Sequence, residues 1–185
     1  MRTNPHILEI NAAVWLDCLS AQEGHAVHFG NIPEQQLEGI ELLGFDAVWL
    51  MGVWKRSPKS SEIARSNQEI LRAVSNAYPE YDRSKISASP YAVYEYTVEP
   101  AFGNEHTLLD LKRRLNEKGI ALFLDFVGNH FAVDHPKILE NPDLFINTGK
   151  EPPQETRNGF TKQTTAIISP TAETPTLRHG QIPPS

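Results

Sequence analysis

The chain has 185 residues and a formal net charge of −6, with 39% hydrophobic and 22% charged residues. This length suits one domain, and the composition is ordinary for a soluble globular protein. The mildly acidic balance favours no nucleic-acid or membrane partner, and the single cysteine, Cys18, excludes an internal disulfide. Since no stretch resembles a signal peptide or a membrane span, the sequence predicts a cytoplasmic protein.

The first 150 residues alternate segments of strand character with segments of helix character. The strands are recognised as bounded apolar runs rich in β-formers, and the helices by apolar residues at helical spacing. In chain order, the pattern predicts a strand region over 7–16, a helix over 33–44, a buried strand over 45–51, a helix over 61–77, a helix over 104–119 and a buried strand over 120–127.

This alternation predicts an α/β fold with a parallel sheet and helical crossovers. Strands that are apolar on both faces belong in a barrel or a doubly wound sheet. No glycine-rich turn follows Asn11, so the pattern favours a barrel over a dinucleotide-binding fold. A closed (β/α)8 barrel needs about 250 residues. The sequence therefore predicts an incomplete TIM barrel, namely its N-terminal portion of about three βα units.

The composition changes near residue 150. Residues 151–185 hold six of the fourteen prolines, seven threonines and a single aromatic residue, Phe160. Such a stretch buries too little apolar surface to offset the entropy of ordering it. We therefore expect a partial barrel over residues 1–150 and a disordered Thr/Pro-rich tail over 151–185. A frameshift near 148–160 is one hypothesis for this tail, and a naturally short chain is the other.

Candidate chemistry lies at the end of the last predicted strand, where parallel α/β folds bind their ligands. There the sequence runs from Asp125 to His130, with Asn129 between them. A structural alternative makes Asp125 a turn-forming carboxylate and His130 a core residue. A metal centre is a third interpretation, with candidate ligands Asp125, Asn129, His130, Asp134 and His135.

An aromatic cluster precedes this strand, in a predicted loop over residues 89–96 that contains Tyr91, Tyr94 and Tyr96. Aromatic faces in loops above a barrel suit carbohydrate, because the C–H face of a sugar packs on a π face. Tyr94 and Tyr96 are expected to anchor the loop instead. Trp49 is expected in the core, while Trp54 suits either the core or the rim.

These motifs resemble the α-amylase family of glycoside hydrolases. The run Asp125-Phe126-Val127-Gly128-Asn129-His130 resembles the first signature motif of that family, Asp-x-Val-x-Asn-His, at the end of the third strand. Further ordered matches are the second strand at 44–50, the Gly-Tyr-x-Val-x-Asp-Tyr loop at 89–96, the Phe-Gly-Thr turn at 102–104 and the lead into the third strand at 118–120. The resemblance covers residues 7–136.

The resemblance implies a role for each matching residue. His130 would donate a hydrogen bond to the sugar at the cleavage subsite, and Tyr91 would stack beneath that sugar. Asp125 would be a buried structural carboxylate that orients an arginine and catalytic groups from later strands. Asn129 matches a position that binds calcium in many members, which makes calcium the one candidate cofactor.

Two departures from the family pattern stand out. Glu95 replaces the usual aspartate. Retaining enzymes of this family need a nucleophilic aspartate and an acidic glutamate about 5 Å apart, from later strands, and we identify neither here. The remaining carboxylates lie in predicted loop or tail: Glu140, Asp143, Glu151, Glu155 and Glu173.

The leading hypothesis is a fragment of an α-amylase-family enzyme that acts on α-glucosidic bonds by hydrolysis or transglycosylation. Its substrate would be an α-glucan or oligosaccharide, and the fragment alone would lack the catalytic pair. The first alternative is a carbohydrate-binding or assembly subunit, in which a complementing chain supplies the missing barrel strands and covers the open sheet edges. The second is a metal-dependent hydrolase centred on Asp125, His130, Asp134 and His135.

Overall fold

The structure is a computed structural model that describes residues 2–128, 130–144, 161–163 and 166–168. Its strands are β1 (Ile7–Asn11), β2 (Ala47–Met51), β3 (Trp54–Arg56), β4 (Val93–Val98), β5 (Ala121–Leu124), β6 (Thr161–Gln163) and β7 (Ala166–Ile168). Its helices are α1 (Ala12–Glu23), α2 (Glu34–Leu42), α3 (Pro58–Ser66), α4 (Gln68–Ala77), α5 (Glu105–Glu117) and α6 (Lys137–Glu140). None of the helices in the described part combines the length and the apolar character that a bilayer crossing requires.

Residues 2–55 and 95–126 form one compact unit, built on a parallel sheet in the order β1-β2-β5. The register sets Leu50 opposite Ile10 on one side and Leu124 on the other. α1 and α2 lie between β1 and β2 in the sequence, and α5 leads into β5. The predicted parallel sheet with helical crossovers is therefore confirmed for these three strands.

The core of this unit consists of leucines and other apolar side chains from the helices packed against those of the sheet. Its fully or almost fully buried members include Leu16, Phe29, Leu37, Leu50, Leu111 and Leu115. Burying side chains of this size contributes about 1.5–3 kcal/mol each, so this cluster is the main source of stability in the unit. The helical spacing of Leu108, Leu111 and Leu115 explains why α5 buries one face.

The first predicted strand region is only half right. Ile7–Asn11 is a strand, but the residues that follow form α1. The Asn11 side chain accepts a hydrogen bond from the Val14 backbone N–H (3.2 Å) and thereby caps the helix. Gly24 ends the helix at φ +71°, a conformation that glycine adopts readily. The apolar run at 13–16 therefore lies on a helix, although it resembles a strand in sequence.

The second compact unit contains residues 56–94 and the described residues after 126. The single helix predicted over 61–77 is two helices here, because Asn67 has an extended backbone (ψ 117°) that interrupts them. The Asn67 side chain accepts hydrogen bonds from the backbone N–H groups of Glu69 and Ile70, at 2.8 and 3.2 Å. This local capping begins α4 and explains the break.

The loop predicted over 89–96 is also partly a strand, since β4 begins at Val93 and pairs with β3 in a two-stranded sheet.

Most of the predicted tail, 151–185, lies outside the described residues. Within it, β6 and β7 pair antiparallel, with Lys162 opposite Ile167.

Candidate functional site

Asp125 lies in the first unit, directly after β5, and is 8% exposed. Its Oδ1 accepts a hydrogen bond from the Trp49 indole N–H (2.7 Å), and its Oδ2 accepts one from the Gly52 backbone N–H (2.6 Å). The Asp125 backbone carbonyl also accepts from the Trp54 indole N–H (2.7 Å). These bonds compensate the cost of burying a carboxylate. Asp125 therefore joins the end of β5 to the turn that follows β2.

The sequence allows this arrangement because of the residues at the end of β2. Gly52 has φ +77°, a conformation that side chains disfavour, and its N–H reaches the Asp125 carboxylate. Trp49, expected in the core, is half-buried, and its indole nitrogen is the second donor. Asp125 is thus buried and hydrogen-bonded, and its predicted role in orienting an arginine and catalytic groups stays a prediction. In the described part of the chain, the hydrogen bonds of Asp125 come from Trp49, Gly52 and Trp54 and not from an arginine.

His130 and Tyr91 lie in the second unit and are joined by a hydrogen bond between His130 Nε2 and the Tyr91 backbone oxygen (3.0 Å). A carbonyl oxygen can only accept, so Nε2 carries the hydrogen and donates. In the neutral imidazole Nδ1 is then an acceptor. The Tyr91 side chain is 36% exposed. The structure thus brings together the two residues that the resemblance assigns to sugar binding, through a contact that the sequence does not reveal.

Two further predicted candidates have structural contacts in the second unit. Asp134 accepts hydrogen bonds from the buried Ser57 hydroxyl (2.5 Å) and from the Lys59 backbone N–H (3.1 Å), and so caps the start of α3. His135 Nδ1 accepts from the Lys137 backbone N–H (3.1 Å), and its ring packs on Phe131. Burial of the imidazole lowers the pKa of His135 below its usual value.

The metal-centre alternative finds no support among the described residues. In the described part of the chain, no three His, Cys, Asp or Glu side chains come together as a metal site. Both carboxylate oxygens of Asp125 and of Asp134 accept hydrogen bonds, and so does Nδ1 of His135. Asn129 lies outside the described residues, so its proposed calcium contact stays a prediction.

The other carboxylates singled out in the sequence have local partners or lie outside the described residues. Glu95, which replaces the family aspartate, pairs with Lys55 at 2.9 Å, and the hydrogen bond from Lys55 lowers the pKa of Glu95. Glu140 pairs with Lys137 at 2.9 Å inside α6. Asp143 lies in a short 3-10 turn. Glu151, Glu155 and Glu173 fall outside the described part.

Sequence reasoning missed several partners that hold these residues. The Ser57-Pro58 pair is a standard helix start, since serine caps and proline suits the first turn, so Ser57 could have been found. By contrast, Trp49 and Gly52 are 76 and 73 residues away from Asp125. No local pattern indicates contacts over such separations.

An α/β unit with its buried aspartate at the end of a third parallel strand is the arrangement expected of an amylase-type catalytic domain. The family model "Alpha amylase, catalytic domain" matches residues 32–177. The chain therefore belongs to the α-amylase family, and the resemblance seen in its motifs is confirmed.

Known proteins agree with this assignment. Alpha-amylase mde5 of Schizosaccharomyces pombe is 28% identical to this chain over 105 residues, which are 57% of this chain and 17% of that protein. A solved α-amylase from Lactobacillus plantarum is 18% identical, with a TM-score of 0.54 over 89% of this chain and 31% of its own. The maltogenic α-amylase AmyB of Thermotoga neapolitana is also 18% identical, with a TM-score of 0.55 over 91% and 32%. At these identities the structures show the shared fold alone, and the chain spans about a third of each.

Proposed function

We propose that this chain forms part of a glycoside hydrolase that acts on α-glucosidic bonds, by hydrolysis or transglycosylation, in an α-glucan or oligosaccharide. Membership of the α-amylase family supports this proposal. The observation that carries it is the hydrogen bond from His130 to the Tyr91 backbone. It holds an imidazole beside a partly exposed aromatic residue, at the two positions that the family motifs assign to the sugar.

In this proposal Tyr91 supplies a ring on which the C–H face of a sugar packs. His130 supplies a polar contact to the same sugar, and the hydrogen bond from its Nε2–H to the Tyr91 carbonyl holds the imidazole beside that residue.

Asp125 has a supporting role in this proposal and does not react with the sugar. Both of its carboxylate oxygens accept short hydrogen bonds from groups of the first unit, Trp49 and Gly52. A carboxylate that is buried and held in this way positions the end of β5. It is therefore assigned to no step of bond cleavage.

The finer architecture belongs to the same proposal. β1, β2 and β5 would be the first three strands of an amylase-type (β/α)8 barrel, with α1, α2 and α5 as crossover helices. The catalytic carboxyl pair would come from sequence beyond the described residues, because Glu140 is paired in a surface helix and Asp143 lies in a turn. Asn129 would be a calcium ligand.

The proposal is tested by titrating the 185-residue chain with maltoheptaose, and with the β-linked cellohexaose as a control sugar. Binding is followed by calorimetry, and cleavage by the release of reducing ends. We expect binding of the α-linked sugar. Tyr91→Ala should weaken it about five- to tenfold through loss of the stacking ring. Tyr78→Ala is the matched control, because Tyr78 is also exposed but lies at the end of α4.

His130 gives a second arm of this test. In any form of the protein that turns over sugar, His130→Ala should lower kcat/KM. Expressed as a free energy, this loss of transition-state stabilisation should be much larger than the loss in the free energy of unfolding. Two losses of equal size would make His130 a structural residue only. Equal binding of both sugars or of neither would contradict the proposal.

A further inference from the structure

The chain segment that carries His130 has no regular structure of its own. Residues 130–136 contain neither helix nor strand. Such a segment lacks the backbone hydrogen bonds that fix a helix or a strand, so its course depends on contacts with other elements. One such contact is the hydrogen bond from the Ala132 N–H to the Val93 carbonyl (3.3 Å). The hydrogen bond from His130 to the Tyr91 carbonyl therefore requires that this segment be held in place.

Asp134 supplies a polar anchor for this segment, four residues after His130. Its Oδ1 accepts a hydrogen bond from the Ser57 hydroxyl (2.5 Å), and its Oδ2 accepts one from the Lys59 backbone N–H (3.1 Å). Hydrogen bonds to a charged acceptor are about twice as strong as neutral ones. The carboxylate also lies at the amino end of α3, where the helix dipole favours a negative charge. These contacts tie the segment to the start of α3.

Ser57 links the same anchor to the loop that carries Tyr91. Ser57 is fully buried, and its backbone N–H donates to the carbonyl of Ala92, the residue after Tyr91, at 2.9 Å. Its hydroxyl donates to Asp134. One buried residue thus contacts both the segment with the imidazole donor and the loop with the carbonyl acceptor. Ser57 and Asp134 are called the clamp below.

We propose that the clamp positions His130, in addition to capping α3. It holds the imidazole where its Nε2–H meets the Tyr91 carbonyl, and it makes no contact with the sugar itself. If the clamp only capped α3, its loss would loosen that helix and leave the imidazole in place. The inference rests on the proposed function for the use of His130 in sugar binding, whereas the positioning concerns residues of this chain alone.

The experiment measures how fast the His130 Nε2–H exchanges with water, by NMR of the 15N-labelled 185-residue chain. His130→Gln identifies the signal by its loss. Because a held imidazole opens rarely, we expect exchange to become about tenfold faster in both Ser57→Ala and Asp134→Ala. The two substitutions remove one hydrogen bond from its two ends, so the double variant should exchange no faster than Asp134→Ala alone. Circular dichroism checks folding, and either alanine variant suffices if the other does not fold.

Two further variants separate positioning from a general loss of stability. Asp134→Asn keeps the clamp, because its amide oxygen accepts from the Lys59 N–H while its NH2 group donates to the Ser57 hydroxyl oxygen. Its exchange rate should match that of the wild type. Asn67→Ala is the matched control, since the Asn67 side chain caps α4 in the same unit. Its loss should lower stability but leave the exchange of His130 unchanged.

Sugar binding is a separate readout of the same variants. The dissociation constant for maltoheptaose, measured by calorimetry, should rise about fivefold in Asp134→Ala and stay unchanged in Asp134→Asn. Equal affinities of Asp134→Ala and the wild type would show that the clamp does not serve the sugar site. Equal exchange rates in Asp134→Ala and Asn67→Ala would show that it does not position His130. A wild type that binds no maltoheptaose but shows the expected exchange rates would overturn the proposed function and leave the positioning of His130 standing.

Discussion

The two compact units are stabilised in different ways. The first is built on apolar burial, with a parallel sheet and a contiguous set of buried side chains from α1, α2 and α5. Among its described residues the second has fewer buried apolar side chains, and its loops are held by polar side chains that bond to the backbone. Examples are Ser57 and Asp134 at α3, Asn67 at α4, and Arg65, which donates to the Ile86 carbonyl (3.0 Å). Apolar periodicity is visible in a sequence, whereas such polar contacts depend on the folded chain, and this is where the sequence predictions were weakest.

The largest effect is expected from removing a core ring of the first unit. Phe29 is fully buried and packs edge to face on Phe102, with centroids 5.9 Å apart. Phe29→Ala should lower the free energy of unfolding by about 3–5 kcal/mol through lost burial and a cavity. Urea denaturation followed by circular dichroism measures it. Leu42→Ala, at a position 87% exposed, should change it by less than about 0.5 kcal/mol, and a comparable loss there would contradict the assigned core.

A smaller loss is expected from the buried carboxylate of the same unit. Asp125→Asn keeps one acceptor oxygen but turns an NH2 group toward a donor, so one of Trp49 and Gly52 loses its partner. The expected cost is about 2 kcal/mol. The Trp49 indole N–H signal should also shift in an NMR spectrum. An unchanged spectrum and an unchanged urea midpoint would show that the carboxylate does not hold the strand end.

In the second unit, Ser57→Ala tests whether a single polar side chain holds a loop in place. It removes the cap from the Ser60 N–H (2.8 Å) and leaves Asp134 with one donor fewer. We expect a loss of about 1–2 kcal/mol. Hydrogen exchange should speed up in α3, while β2 keeps its protection. Ser75→Ala, at an exposed position of α4, is the control and should leave α3 unchanged.

The smallest effect is expected from surface charges of the first unit. The hydrogen bond from Lys118, assisted by Arg114, lowers the pKa of Glu34 to about 2. A lowered carboxyl pKa contributes stability that is present above about pH 4.5 and is lost as the pH falls toward 2. Glu34→Gln should therefore slightly lower the urea midpoint at pH 7, and the difference from wild type should shrink below pH 4.5. A difference that persists at pH 2 would exclude this origin.

Particular residues show what the sequence could and could not predict. The three parallel strands and α5 follow from apolar runs and spacing, and the position of Asp125 at a strand end follows from them. Ala12–Glu23 was missed because its apolar residues at 13–16 are adjacent, although Asn11 before them is a good helix cap. β4 was missed because its tyrosines lie next to turn-forming residues.

The site was predictable as a set of residues but not as a set of contacts. The family motifs point to Tyr91 and His130. By contrast, no sequence pattern shows that the His130 imidazole donates to the Tyr91 backbone oxygen, 39 residues away. The same holds for Asp134, which caps a helix 75 residues earlier by bonding Lys59. Such contacts require the folded backbone that brings distant segments together.

The bonds around Asp125 also have a kinetic consequence. The one to Gly52 closes a loop across 73 residues, and the strand pairing of β2 with β5 has a similar span. Contacts between segments this far apart in sequence slow folding, because the loop must close before they form. We expect the pairing of β2 with β5 to close this loop in the transition state, and the Asp125 side-chain bonds, which depend on that closure, to form after it. A substitution there would shorten the lifetime of the folded chain by speeding its unfolding, and would leave the refolding rate almost unchanged.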